Sequence, residues 1–214
     1  MIGVKPAQPC HQAVATLVYA DHTRARISDE SCAGRPLGHR PLDHRYAASV
    51  GGEATSVATW SRSGEGERLW FLGTLATIRV AGEAVDGRFA LIEFLFPQHA
   101  SPPLHTHPQD ESYVVLEGRL TVQAGVRRFA LEPGAAAVVP MGVAHTFRVD
   151  SDSARVLVLS TPAGLERMVR DGAVPATTSQ LPPADTPRPT SEELDRIFAS
   201  HGQVNLGPPL GPDD

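Results

Sequence analysis

The sequence contains few of the features that mark secreted or membrane-spanning proteins. Cysteine occurs only at Cys10 and Cys32, so there is no disulfide framework and no CxxC metal motif, which is typical of the reducing cytoplasm. No apolar run reaches the roughly 18 residues that a transmembrane helix needs. The opening residues, MIGVKPAQPCHQAV, do not form a basic segment followed by an apolar one. We therefore expect no secretory signal and a cytoplasmic protein.

Positive charge is scarce as well. The formal net charge is −5, and no segment is rich in lysine and arginine, so we expect neither nucleic acid nor an anionic membrane surface as a partner. The 214 residues are 41% hydrophobic and 20% charged. This composition is sufficient for one domain with a packed core and some additional segments.

Composition divides the chain into three zones. Residues 1–66 are rich in Ala, Ser, Gly, Arg and His without sustained periodicity, so we predict an N-terminal extension that is poorly ordered or partly an extended arm. Residues 67–162 contain closely spaced runs of β-branched and aromatic residues, which predict a β-barrel. Residues 163–214 contain two helix candidates and a proline-rich stretch, so we predict a C-terminal tail that is helical and Pro-rich.

The middle zone reads as a succession of short strands. The runs share a strand-like composition and are separated by turn residues such as those at Gly125, Pro133–Gly134 and Asp150–Asp152. They are RLWFLGTLATIRV, GRFALIEFLF, SYVVLEG, RLTVQA, RRFALEPG, AAAVVP, HTFRVDSD and ARVLVLS. Many short, evenly spaced strands favour an all-β sandwich or barrel over a parallel sheet with helices.

The tail contains AGLERMVRDG, a short helix candidate, and later TSEELDRIFASHG. Thr190 and Glu193 have the spacing of a capping box, which predicts that the second helix begins there. Leu194, Ile197 and Phe198 form an apolar stripe. The stripe suits packing on the outside of the barrel, on a partner subunit, or as a lid, and the sequence alone leaves these alternatives open.

The stretch PLHTHPQDESYVVLEG contains three potential metal ligands. His105 and His107 are two residues apart, so they share a face if the segment is extended, and the flanking prolines Pro103 and Pro108 discourage helix. Glu111 follows after PQD, where a tight bend can bring its carboxylate back towards both imidazoles. We predict that these side chains form half of a metal site.

A fourth ligand candidate follows in GAAAVVPMGVAHTF. Gly134, Pro140 and Gly142 predict a turn that delivers His145 from an adjoining strand. Three imidazoles and one carboxylate suit one divalent transition metal per subunit, namely iron, manganese, nickel, cobalt, copper or zinc. The residue types do not choose among these ions.

These two stretches together resemble the cupin superfamily. Its first motif is Gly, five residues, His-x-His, three or four residues, Glu, six residues, Gly, and this chain matches it except that His99 replaces the leading glycine. The second motif is Gly, five residues, Pro-x-Gly, two residues, His, three residues, Asn. The chain matches it except that Val149 replaces the asparagine. Neither departure removes a ligand.

The resemblance implies a fold and an assembly. It covers about Arg68 to Thr161 and implies one cupin domain, a double-stranded β-helix or jelly-roll barrel, with an irregular N-terminal extension and C-terminal helices. It further implies a homodimer, as is common among single-domain cupins.

A narrower similarity is to bacterial quercetin 2,3-dioxygenase-like cupins, through GERLWFLGTLATIRV, LHTHPQDESYVVLEG and the proline-rich tail. It implies a metal-dependent dioxygenase that cleaves a flavonol or related phenolic compound, with O2 as co-substrate. The resemblance assigns His105, His107, Glu111 and His145 to the metal and gives Glu111 the further role of catalytic base on the substrate hydroxyl.

Strand alternation suggests where a small-molecule substrate would bind. Tyr113 and Val115 share the face of Glu111, and Phe147 shares that of His145, so we predict that they line the substrate cavity. Met141 is a weaker candidate. Two other functions remain open: a metal-dependent cyclase or isomerase of a phenolic or polyketide-like molecule, and a non-catalytic ligand-binding cupin stabilised by its metal.

Overall fold

The structure, a computed structural model, describes residues 58–62 and 64–211. Most of the predicted N-terminal extension therefore lies outside the described residues, as do Cys10 and Cys32. The described residues form the predicted all-β barrel, of two antiparallel sheets with two α-helices. Neither helix has the length and apolar character required to cross a membrane.

The larger sheet has seven strands, in the order β11-β1-β2-β3-β10-β5-β8. Their bounds are β1 Glu67–Phe71, β2 Thr74–Val80, β3 Ala90–Pro97, β5 Asp110–Glu117, β8 Ala136–Val139, β10 Ser153–Thr161 and β11 Ala173–Pro175. A 3-10 helix, Gly82–Val85, connects β2 to β3. The predicted strand runs of the middle zone are confirmed, and RLWFLGTLATIRV forms a hairpin rather than one strand because Leu72 and Gly73 turn with positive φ angles.

The smaller sheet has five strands, in the order β12-β4-β9-β6-β7. Their bounds are β4 Leu104–Thr106, β6 Leu120–Ala124, β7 Arg127–Leu131, β9 His145–Val149 and β12 Val204–Gly207. The two helices are α1 Leu165–Gly172 and α2 Ser191–Ser200. The tail is thus more than helices and prolines, because β11 extends the larger sheet and β12 extends the smaller one.

Alternation along the strands places the core between the two sheets. In β3 every second residue is buried, from Ala90 and Ile92 to Phe94 and Phe96. Each large apolar side chain buried in this way contributes about 1.5–3 kcal/mol relative to an exposed one. The core therefore holds the two sheets together around the residues that face inward.

Helix α2 packs within its own chain. The predicted capping box is present: Glu193 N donates to Thr190 Oγ1 at 3.3 Å, and Thr190 N donates to Glu193 Oε2 at 2.8 Å. Phe198 is buried in the main core, and Leu194 and Ile197 pack against that core. The apolar stripe therefore covers the barrel, and the homodimer stays a prediction that does not depend on it.

Candidate metal centre and cavity

Strand β4 presents the first histidine to the barrel interior. The strand is extended between prolines, and His105 pairs with His145 on β9. On its other side, Asn205 of β12 is the partner of His105. The imidazole rings of His105 and His145 lie 4.4 Å apart between centroids. Cross-strand pairing therefore brings together residues that are far apart in sequence.

The turn before β9 is fastened to the bend before β5. Gly142 N donates to the carbonyl of His107 at 3.1 Å, and Met141 N donates to Asp110 Oδ1 at 2.8 Å. These bonds connect the turn that precedes His145 to the segment between His107 and Glu111. The two predicted halves of the site thus hold each other in place through backbone donors.

All four predicted ligands meet at one point. His105, His107, Glu111 and His145 each place one potential ligand atom within 4.8 Å of the others. Glu111 Oε2 lies 3.0 Å from His145 Nε2 and 3.3 Å from His107 Nε2. The cluster could therefore hold a metal ion.

Backbone carbonyls orient two of the three imidazoles. His105 Nδ1 lies 2.7 Å from the Pro103 oxygen, and His145 Nδ1 lies 2.9 Å from the Val143 oxygen. A carbonyl only accepts, so each Nδ1 is the protonated nitrogen and Nε2 is left as the ligand atom. These carbonyls are the outer partners that the sequence could not identify.

The cluster shifts the pKa values of its members in opposite directions. Burial raises the pKa of Glu111, but hydrogen bonds and charge from His107 and His145 outweigh it, so the pKa lies well below its usual range. Burial, with repulsion from His145, lowers the pKa of His105 to about 4. Burial lowers the pKa of His145, but hydrogen bonding and attraction from Glu111 outweigh it and raise the value. Glu111 is therefore a carboxylate at neutral pH.

The donor geometry fits a divalent transition metal. The Val143 carbonyl holds one proton on His145 Nδ1, so the contact of 3.0 Å between His145 Nε2 and the Glu111 carboxylate needs a second cation between the two atoms, either a proton or a metal ion. Ligand atoms about 2.1 Å from one ion and at right angles to each other are about 3 Å apart. Three imidazoles with one carboxylate also form a suitable donor set.

A second, smaller cavity adjoins the cluster. Its volume is about 20 Å³, and His107, Glu111, Ser160 and His201 are among the residues that line it. His107 Nδ1 and Ser160 Oγ are buried and have no hydrogen-bond partner among the described residues. A cavity of this size has room for about one water molecule, which needs polar partners such as these two atoms. The cavity thus lies beside His107, the imidazole of the cluster whose Nδ1 contacts no carbonyl of the described residues.

A larger, mostly apolar cavity of about 470 Å³ opens beside His105 and Glu111. Two predicted substrate residues, Tyr113 and Phe147, line it. Val115 is fully buried in the core and Met141 is 55% exposed in the turn before β9, and neither is part of the cavity lining in the described chain. Alternation predicts the face of a residue but not its depth, and a turn residue has no fixed face.

Several cavity residues were not predicted. Phe94 and Phe96 stack in β3 with ring centroids 5.0 Å apart and line the cavity wall. The same alternation rule, applied to GRFALIEFLF, would have found them. Met168 of α1 and Phe198 of α2 also line it, but no sequence signal specifies where the helices pack on the barrel.

Comparison with protein families identifies the type of domain in the middle of the chain. Residues 92–162 match a family model described as a cupin domain. The chain is 32% identical over 97 residues to quercetin 2,3-dioxygenase of Bacillus subtilis and 41% identical over 56 residues to the uncharacterized protein SCO3923 of Streptomyces coelicolor. These matches cover 45% and 26% of this chain, and 29% and 53% of the relatives.

The solved structures that resemble the barrel include the following two. KdgF from Halomonas sp. is 18% identical with a TM-score of 0.43, and the match covers 50% of this chain and 94% of that one. An RmlC-like cupin from Shewanella frigidimarina is also 18% identical with a TM-score of 0.45, covering 52% of this chain and 96% of that one.

Proposed function

Because the chain belongs to the cupin superfamily, we propose that it is a metal-dependent dioxygenase that cleaves a flavonol or a related phenolic compound. The observation that supports this most directly is the position of the His/Glu cluster in the wall of a mostly apolar cavity. The partial similarity to a quercetin 2,3-dioxygenase supports the substrate class. The fold alone would not, because one fold serves many activities.

The metal would be held by His105, His107, Glu111 and His145. When bound, it orients the substrate oxygen and stabilises negative charge on it. The carbonyls of Pro103 and Val143 keep two of the imidazoles turned towards the ion. Such outer partners typically change metal affinity by about 10–100-fold when they are lost.

Glu111 is the proposed base for the substrate hydroxyl. Its Oε2 is engaged by His107, His145 and Tyr113, whereas Oε1 has no hydrogen bond among the described residues. Oε1 is therefore the atom proposed to accept the proton. The depressed pKa of Glu111 in the metal-free site makes the carboxylate a weak base, so it must loosen from its partners to hold a proton.

The cavity would bind the aromatic rings of the substrate and exclude water. Phe94, Phe96, Phe147 and Phe198 supply flat apolar surfaces, and aromatic pairs in offset or edge-to-face contact are stabilised beyond their buried area. A volume of about 470 Å³ lies within the range of small-molecule sites. Ring binding next to Glu111 would bring a hydroxyl of the substrate to the proposed base.

The test is a combined measurement of O2 uptake and CO release with quercetin, using protein reconstituted with each metal separately. We expect at least one metal to support uptake and release in equal amounts. His105→Ala should abolish both and lower the metal content. His99→Ala is the control for metal content, because His99 lines the cavity outside the cluster.

The other outcomes are equally informative. Bound metal without O2 uptake on any phenolic compound would refute the dioxygenase and favour non-oxidative chemistry or a binding role. Failure to bind any metal after reconstitution would refute the metal centre itself.

A further inference from the structure

We propose that the substrate has a carboxylate group, which Arg188 binds at the edge of the cavity. This inference rests on the proposed function, because it assigns a substrate class to the same cavity. The phenolic ring would lie among the phenylalanines near the His/Glu cluster, and the acid group would point towards the Pro-rich segment that contains Arg188.

The first observation is the charge of the cavity lining. Arg188 is the one arginine or lysine that lines the larger cavity within the described part of the chain. The other ionisable lining residues are His99, His105, Glu111 and Tyr113, and Glu111 is committed to the cluster. An arginine remains charged at every physiological pH. The edge of the cavity therefore carries a fixed positive charge.

The second observation is that Arg188, at the exposed edge of the cavity, has no counter-ion among the described residues. It has no hydrogen bond and no ion pair with any described residue, whereas Arg79 is paired with Glu93 and Arg170 with Glu67. Arg188 is exposed, so its guanidinium can be reached both from solvent and from the cavity. The five N–H donors of Arg188 are available to an incoming group.

The third observation is the position of the Arg188 guanidinium next to Gly73. A Cβ atom built on Gly73 would lie 3.0 Å from Arg188 Nη2 and 3.5 Å from its Cζ. Gly73 has φ +88° in the turn between β1 and β2, so the position favours glycine and leaves room for the planar group. Pro187 and Pro189 restrict the backbone on both sides of Arg188. The guanidinium thus lies beside Gly73 at the cavity edge, where no carboxylate of the described residues neutralises it.

These features suit a carboxylate more than a neutral ring. The planar guanidinium binds a carboxylate through two parallel hydrogen bonds. A neutral flavonol offers no such group and would bind through the apolar wall alone. We therefore expect affinity to depend on Arg188 only for substrates that contain the acid.

The experiment compares two ligands that differ in one group: 3-hydroxyflavone and its 4′-carboxylate. Kd is measured for the metal-loaded protein under nitrogen, so that binding is separated from turnover. Arg188→Gln should weaken binding of the carboxylate about tenfold and leave 3-hydroxyflavone unchanged. Arg196→Gln is the matched control, because Arg196 loses the same charge from α2 and does not line this cavity.

Three results would overturn the inference. If Arg188→Gln weakens the binding of both ligands equally, Arg188 has a packing role; if it weakens the binding of neither, the charge has no function in binding. In either case, O2 uptake with the neutral flavonol would leave the proposed function standing. Failure of the wild-type protein to bind or turn over either ligand would overturn both proposals together.

Discussion

Tyr113 donates a 2.6 Å hydrogen bond to Glu111 Oε2, the atom that also faces His107 and His145. Tyr113 and Glu111 are two residues apart on β5, so both point into the barrel. Burial, together with the neighbouring charge of Glu111, raises the pKa of the Tyr113 hydroxyl well above its usual value. The tyrosine therefore remains a donor and keeps the carboxylate oriented.

Replacing Tyr113 with phenylalanine should destabilise the metal-free protein by about 1–3 kcal/mol, because a buried carboxylate loses a charged hydrogen bond. Phenylalanine retains the ring, so the loss of stability measures the contribution of the hydroxyl alone. The measurement is urea unfolding after treatment with EDTA, and metal affinity by competition with a chelator should fall about tenfold or more. Identical unfolding midpoints and affinities would show that the hydroxyl does not orient Glu111.

Metal binding should stabilise the fold. A ligand that binds only the native state at 100 times its Kd contributes about 2.7 kcal/mol. We therefore expect EDTA to lower the Tm of the wild-type protein by several degrees. His145→Ala should abolish the difference between loaded and stripped protein, and His99→Ala should preserve it. A metal-dependent Tm that persists in His145→Ala would place the ion elsewhere.

The metal-free protein should lose stability as the pH falls from about 6.5. The folded pKa of His105 is about 4, below its ordinary 6.5, so the unfolded chain takes up this proton first and unfolding becomes easier. The upper limit is about 3 kcal/mol for complete protonation. The pKa of Glu111 is also lowered, from 4.5, so protonation of Glu111 causes a further loss of stability only below pH 4.5.

His145 acts in a different pH range. Its pKa is raised above 6.5, so its contribution is complete below that value and is lost as the pH rises through the folded pKa. Between pH 4.5 and 6.5 the difference in unfolding free energy between wild type and His105→Gln therefore measures the protonation of His105. Urea unfolding of EDTA-treated protein across this range is the measurement, and parallel pH curves would contradict the assignment.

Phe198 should control ligand binding as well as stability. Phe198→Ala removes a buried ring from the core and the cavity wall, so we expect a loss of about 3 kcal/mol in unfolding free energy and weaker binding of aromatic ligands. Thr190→Ala provides the control. It removes the capping box of the same helix, which should lower the unfolding free energy by about 1 kcal/mol, and it leaves the cavity lining unchanged. Equal ligand affinity in both variants would exclude α2 as part of the binding wall.

The metal cluster could be predicted because its geometry is local. His105 and His107 lie in and beside a three-residue strand, where prolines and period-two alternation decide which way a side chain points. His145 follows a turn specified by Pro140 and Gly142. Each half of the site depends on short-range rules, and the barrel only has to bring the two halves together.

The remainder of the site depends on packing between distant segments. Phe198 reaches the cavity because α2 lies over the barrel, and β12 pairs with β4 although VNLG has little strand character beyond one valine. Val115 and Tyr113 obey the same alternation, yet only Tyr113 reaches the cavity. Depth along a strand and the docking of a helix are set by tertiary contacts, which composition does not encode.

The pairing of β12 with β4 has a consequence for biosynthesis. The ribosome makes β4, with His105, about a hundred residues before β12, Val204–Gly207. Until β12 has been made, β4 can pair only with β9, and its other edge has no partner strand. The sheet edge beside His105 is therefore covered late during translation, after the proline-rich segment and α2 have been made, although all four ligand candidates precede them. Chains stalled before residue 204 would expose the unpaired edge of β4 beside His105, and an unpaired strand edge is a template for pairing with another chain.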